Sequence, residues 1–180
     1  MSTFELTDEQ YNELVRLSRI YYREAHRCKD SKAYLAGCIM MGAALEAHLL
    51  LFANCYPDEA FHSTVAPTKG GIIKPLAKWS LADLLAVAKE RSWLPFSLSL
   101  SEEWDEKKAL IGDWSEVLRQ IRNLIHPARY MLDLPRKRIT KRYLKMSFEI
   151  FEVATDYLLS KIGESLRMAF EADDKEVDNP

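Results

Sequence analysis

Residues 33–55 read AYLAGCIMMGAALEAHLLLFANC, and between Ala33 and Ala53 only Glu46 and His48 are clearly polar. A run of 21 residues approaches the roughly 20 that cross a bilayer. It also suits the central helix of a bundle, which is apolar all round because every side is covered. Glu46 decides between the two readings. In lipid a carboxylate near mid-span is costly and no second span shelters it, whereas in a bundle a neighbouring helix can supply its partner. The stretch is therefore read as the most buried helix of a soluble bundle, not as a membrane span. Its small residues Ala33, Gly37, Ala44 and Ala47 permit close approach of another helix.

Working outward, Thr7 followed three residues later by Gln10 has the form of a capping box, and Tyr11, Leu14, Leu17 and Tyr21 then recur at helical spacing. This predicts a first helix over about residues 8–28. Asp30 and Ser31 are N-cap candidates for the second. Beyond it, YPDEAFHSTVAPTKGGIIKP carries prolines and a Gly-Gly pair that forbid a continuous helix, so an irregular excursion with a short helical turn is expected. Ser80 with Asp83 opens a short third helix, SLADLLAVAKE, that ends near Trp93 and Pro95.

The stretch SLSLSEEWDEKKALIGDWSEVLRQIRNLIH offers serine caps and first-turn acids, predicting a fourth helix from about 101 to His126, where Pro127 disfavours helical geometry. After Pro135 a last helix is marked by Leu144, Phe148, Phe151, Leu158 and Ile162 and reaches about Phe170; the acidic tail EADDKEVDNP is expected to be flexible. No alternating run is long enough to predict a strand. KGGIIK lacks both the pattern and the preceding strand of a phosphate-binding loop. The expected fold is all-α, an antiparallel bundle of four to five helices in one domain over 1–170, with 171–180 as tail.

Composition sets the limits on function. The 180 residues carry 25 Lys and Arg against 27 Asp and Glu, a net charge of −2, which excludes a uniformly basic nucleic-acid binder but allows a local basic patch. Cys28, Cys38 and Cys55 are odd in number and lack C-x-x-C spacing, so neither a disulfide framework nor a cysteine zinc site is expected. A reducing cytoplasm fits, and the polar, acidic start MSTFELTDEQ has no export signal. His26, His48 and His62 have no paired carboxylate spacing, so neither a metal nor a cofactor is expected.

The fourth predicted helix carries the chemistry. Leu110, Ile111, Trp114, Val117, Leu118, Ile121, Leu124 and Ile125 fall within an arc of about 140° and form its core face. With Arg119 as zero and about 100° per residue, Asn123 lies near +40°, His126 near −20° and Arg122 near −60°. These four polar groups make one stripe, with guanidinium forks for phosphate, an amide to orient a neighbour and an imidazole that exchanges protons near neutral pH. The structural alternative is that they cap the helix end, where cations oppose the negative dipole.

From Arg129 to Lys145 there are seven basic residues, Arg129, Arg136, Lys137, Arg138, Lys141, Arg142 and Lys145, against Asp133 alone, a net of +6. This segment, with Tyr130 or Tyr143 for base stacking, can lead a polyanion to the stripe; the alternative is a solvated basic face. Glu46 is expected to meet an arginine of the fourth helix, either supporting the stripe from behind or satisfying a buried charge.

Three segments resemble the HEPN domains, helical bundles of higher eukaryotes and prokaryotes: Arg119-Gln-Ile-Arg-Asn-Leu-Ile-His126 matches the Arg-x6-His pattern, GAALEAHLL surrounds Glu46, and WSLADLLAVAKERSWL looks like the intervening segment of bacterial members. The resemblance spans about residues 10–165. It implies a metal-independent endoribonuclease, often a toxin or defence effector, whose homodimer joins two Arg/His motifs in one cleft, with Arg119 and His126 catalytic. RNA and an antitoxin or regulatory protein are the implied partners. Family members often carry a polar residue after the essential arginine, and both Arg119 and Arg122 are followed by one, Gln120 and Asn123. Some active members place a tyrosine two residues beyond the histidine; here that position is Ala128. The competing reading is a non-catalytic helical dimerisation or regulatory module.

Overall fold

In the computed structural model, residues 4–94, residue 119 and residues 139–177 are described, with side chains as far as residue 165. The architecture is all-α with one very small hairpin: α1 (Asp8–Asp30), α2 (Tyr34–Cys55), α3 (Pro57–Phe61), β1 (Thr68–Lys69), β2 (Ile72–Ile73), a 3-10 turn (Leu76–Lys78), α4 (Leu81–Glu90) and α5 (Lys141–Val177). Helix α1 starts where its capping box predicts, with the Gln10 N–H donating to Thr7 Oγ1 at 3.3 Å and the Thr7 N–H to Gln10 Oε1 at 3.0 Å. Ser80 and Asp83 open α4 in the same way, at 3.3 and 2.9 Å.

The caps at the other ends differ from expectation. Asp30 and Ser31 do not cap α2; they belong to the end of α1, where Lys32 takes a left-handed φ of 59°. The Ala33 N–H donates back to Cys28 O at 2.8 Å and the Lys32 N–H to Lys29 O at 3.2 Å, a Schellman closure that satisfies the last carbonyls of α1. Ser92, at φ 53°, closes α4 identically through Trp93 N–H to Ala88 O. Helix α2 therefore begins after Lys32, with Ala33 at its N-cap and no side-chain cap. The excursion contains the expected helical turns, and in addition β1 and β2 pair antiparallel across Gly70 and Gly71, both at positive φ. Strands of two residues are too short to leave an alternating pattern. Helix α5 continues past Phe170 to Val177; no glycine or proline interrupts the chain between Gly163 and Pro180.

Helix α2 is the axis of the core. Among the described residues it is the one helix long and apolar enough to cross a membrane, and rather more than half of that span is buried inside the protein. Gly37, Cys38, Met41, Ala44, Leu45, Leu49, Phe52 and Ala53 are buried, against α1, α4, α5 and the 3-10 turn. Gly37, Ala44 and Ala47 are spent inside the chain, whereas Ala33 is exposed: a Cβ at Gly37 would lie 2.8 Å from both methyls of Leu144 on α5 and 3.3 Å from Cys28 Cβ on α1. The excursion is tied down by the Trp79 indole donating to Lys74 O at 2.9 Å, the Trp93 indole to Glu59 at 2.8 Å, and Glu90 accepting from the Ser63 and Thr64 hydroxyls. The N-terminal segment joins through the Leu6 N–H to Asn54 Oδ1 and the Leu76 N–H to Phe4 O, both at 2.8 Å.

Gly37→Val should destabilise the protein by about 1–3 kcal/mol, because Leu144 is 1% exposed and cannot yield. Gly163→Ala, where nothing lies within 4 Å, should be neutral or stabilising by up to ~1 kcal/mol. Urea midpoints at constant m-value measure both.

Candidate functional site

Glu46 sits near the middle of α2, and one oxygen of its carboxylate accepts the Leu81 N–H at 2.8 Å. Leu81 is the first residue of α4 and its N–H has no intrahelical acceptor. The carboxylate thus satisfies an orphan donor and places negative charge at the positive end of a helix, which fixes α4 on α2. The backbone role is one that sequence reasoning did not foresee: the acceptor and its donor are 35 residues apart, and a main-chain partner leaves no side-chain signature.

Of the predicted stripe, Arg119 is described: it is helical and partly buried, and it is engaged by other groups. Arg122, Asn123 and His126 lie outside the described residues, as do Arg129, Tyr130, Arg136, Lys137 and Arg138 and the remainder of the fourth predicted helix. At the distal end of the basic segment, Lys141, Arg142 and Lys145 are exposed on the first turns of α5, and Lys145 lies 3.8 Å from Glu149. Tyr143 packs partly buried against the core. Among the described residues no group of three or more His, Cys, Asp or Glu side chains is placed to hold a metal ion. The three cysteines are free thiols, and burial pushes that of Cys38 up to about 11, well away from reactivity.

A second polar locality was not anticipated from sequence. A groove of about 1060 Å³ runs between α1 and α5 with α2 as its floor. Phe52, Phe151, Leu158 and Ile162 supply apolar surface, Arg16, Arg19 and Arg23 line the α1 side, and Glu152 and Asp156 line the α5 side. His48 also lines the groove: its Nδ1 lies 3.0 Å from Ala44 O and its ring stands edge-on to Phe151 at 4.9 Å. Burial holds its pKa below the usual 6.5, the bond to Ala44 O partly opposing this. The arginines at positions 16, 19 and 23 share one helix face, a spacing visible in the sequence but indistinguishable there from an ordinary solvated surface.

Comparison with known proteins gives no match of this chain to a family model, to a curated protein or to a solved structure.

Glu46→Ala should cost about 1–2 kcal/mol by stranding the Leu81 N–H, and Glu46→Gln, which keeps a carbonyl acceptor, should cost less. Chemical denaturation measures the difference. For His48, a folded pKa below the unfolded value means that the unfolded chain binds more protons as pH falls below 6.5. The His48 contribution is therefore fully present above that value and lost as pH falls through it. Unfolding free energies between about pH 8 and pH 5 should decline less in His48→Gln than in the wild type.

Proposed function

We propose that the chain is an RNA-binding protein of HEPN-like type that cleaves single-stranded RNA without a metal ion, with Arg119 and His126 as catalytic residues. The observation that carries this reading is the Arg119-to-His126 spacing, which on a helix sets guanidinium and imidazole on one face two turns apart. The all-α architecture and the helical state of Arg119 support it. So do the exposed Lys141, Arg142 and Lys145, which extend the basic segment through which RNA would approach.

In this mechanism the ribose 2′-oxygen attacks phosphorus, the bond to the 5′-oxygen of the next nucleotide breaks, and a 2′,3′-cyclic phosphate remains. The proton of the attacking hydroxyl passes to water. Imidazolium at His126 gives its proton to the departing 5′-oxygen, and Arg119 with Arg122 holds the charge that develops on the non-bridging oxygens. Asn123, Arg129, Tyr130, Arg136, Lys137, Arg138 and Lys141 bind the strand. Glu46 supports the stripe from behind, against an arginine of the fourth predicted helix, besides holding the start of α4 on α2.

A second reading, a non-catalytic interaction module whose partner is an antitoxin or regulatory protein, draws on the groove between α1 and α5. Catalysis separates the two. His126→Ala and Arg119→Ala should each abolish cleavage of single-stranded RNA while leaving binding within a few-fold, chelator should change nothing, and a DNA copy of the substrate should survive because it lacks the 2′-hydroxyl. Equal loss in Arg122→Ala with retained activity in Arg119→Ala moves the role by one turn. Intact RNA after incubation with folded wild type selects the interaction module, and undiminished cleavage by His126→Ala excludes this mechanism.

A further inference from the structure

The KGGIIK stretch has no part in the stripe or the groove, and the structure sets it apart physically. Lys69 pairs with Ile72 across a two-residue turn of Gly70 and Gly71, at φ 63° and 79°. Directly opposed residues of an antiparallel pair share one face. Thr68 and Ile73 share the other, and Ile73 packs partly buried against the core. Lys69 and Ile72 therefore face away from the body. Ile72 is 75% exposed, more than any other large apolar side chain among the described residues. A Cβ added at Gly70 or Gly71 would meet nothing within 4 Å, so the tip stands clear of the fold. Phe61 and Val65, on the segment that leads into it, are also exposed.

Charge and side-chain type identify what the tip meets. Between Glu59 and Asp83 the chain carries Lys69, Lys74 and Lys78 and no acidic residue, although the whole protein has a net charge of −2. The flanking acids are engaged elsewhere: Glu59 accepts from the Trp93 indole, and Asp83 closes the cap of α4. Among the described residues none of the three lysines makes an ion pair. Lys69 and Lys78 are exposed and Lys74 is half-buried. An isoleucine gives a nucleic-acid base nothing to stack on. Aliphatic surface rimmed by lysines, whose stems lie along it while their charges reach outward, instead suits the boundary between lipid headgroups and hydrocarbon. Strands of two residues present too few main-chain groups to recruit a further strand.

We propose that the hairpin of residues 68–73 docks the protein on anionic membranes, with Ile72 entering the headgroup region while Lys69, Lys74 and Lys78 meet its phosphate and carboxylate groups. The proposal stands apart from the RNA reading and leaves α2 in the core. A lysine near an anionic surface contributes about fivefold in affinity, and so few contacts give weak, reversible attachment. It is tested by co-sedimentation of the full chain, at about 0.1 M salt, with vesicles of phosphatidylcholine alone or with added phosphatidylserine. The chain should bind the anionic vesicles at least tenfold more tightly. Lys69→Gln with Lys78→Gln should lower that affinity at least tenfold, and Ile72→Ser, which leaves the charge unchanged, at least threefold. Ile72→Trp should raise it, because an indole prefers the interface. All three variants should keep the wild-type urea midpoint, which separates lost or gained docking from unfolding. A wild type that stays in the supernatant overturns the proposal, and a fall in RNA affinity of the lysine variant then assigns the tip to nucleic acid. Vesicle binding that ignores either the lysine or the Ile72 substitutions overturns it equally.

Discussion

Helix α2 is apolar on nearly every side, and the fold is organised by that fact. An amphipathic helix needs one neighbour; a helix buried at Gly37, Met41, Leu45, Leu49 and Phe52 on several sides at once needs covering all round. Helix α1 covers one side, α5 crosses closely enough that only glycine fits opposite Leu144, and α4 closes a third. The single carboxylate in the middle is accommodated because α4 brings a backbone donor to it. A hydrogen bond between residues 35 apart thus helps to reconcile burial with polarity and holds the start of α4 against α2.

How much of this could be read beforehand follows from the physics of each signal. Helix starts at Thr7 and Ser80 were legible because a capping box is local and uses side chains of defined chemistry. The closures at Lys32 and Ser92 were not, since left-handed geometry is normally announced by glycine or asparagine and neither is present. Gly70 and Gly71 marked a break, but two-residue strands fall below any periodicity that a sequence can display. The need of Glu46 for a partner was evident from its surroundings, while the Leu81 N–H as one of its partners was hidden in the main chain. The arginines of α1 acquire meaning only when α5 lies opposite them, and such a relation between distant segments has no trace in either one.

The polar stripe and the groove occupy different levels of inference. Arg119 and His126 are related in the sequence reading by the spacing of one predicted helix, and His126 lies outside the described residues. Arg19, Arg23, Glu152 and Asp156 are related by tertiary packing across α2.

The order in which the covering elements are synthesised has its own consequence. Helices α1 and α2 are consecutive and pack as a hairpin as soon as both have left the ribosome, but α5 begins 86 residues after α2 ends. At ordinary elongation rates that interval lasts about 4–17 s. Throughout it the side of α2 around Gly37 and Cys38 lacks the Leu144 and Ser147 that later cover it. The nascent chain therefore presents an apolar helix flank for far longer than a helical hairpin takes to form. Its yield in the cell depends on what shields that flank until the C-terminal helix arrives.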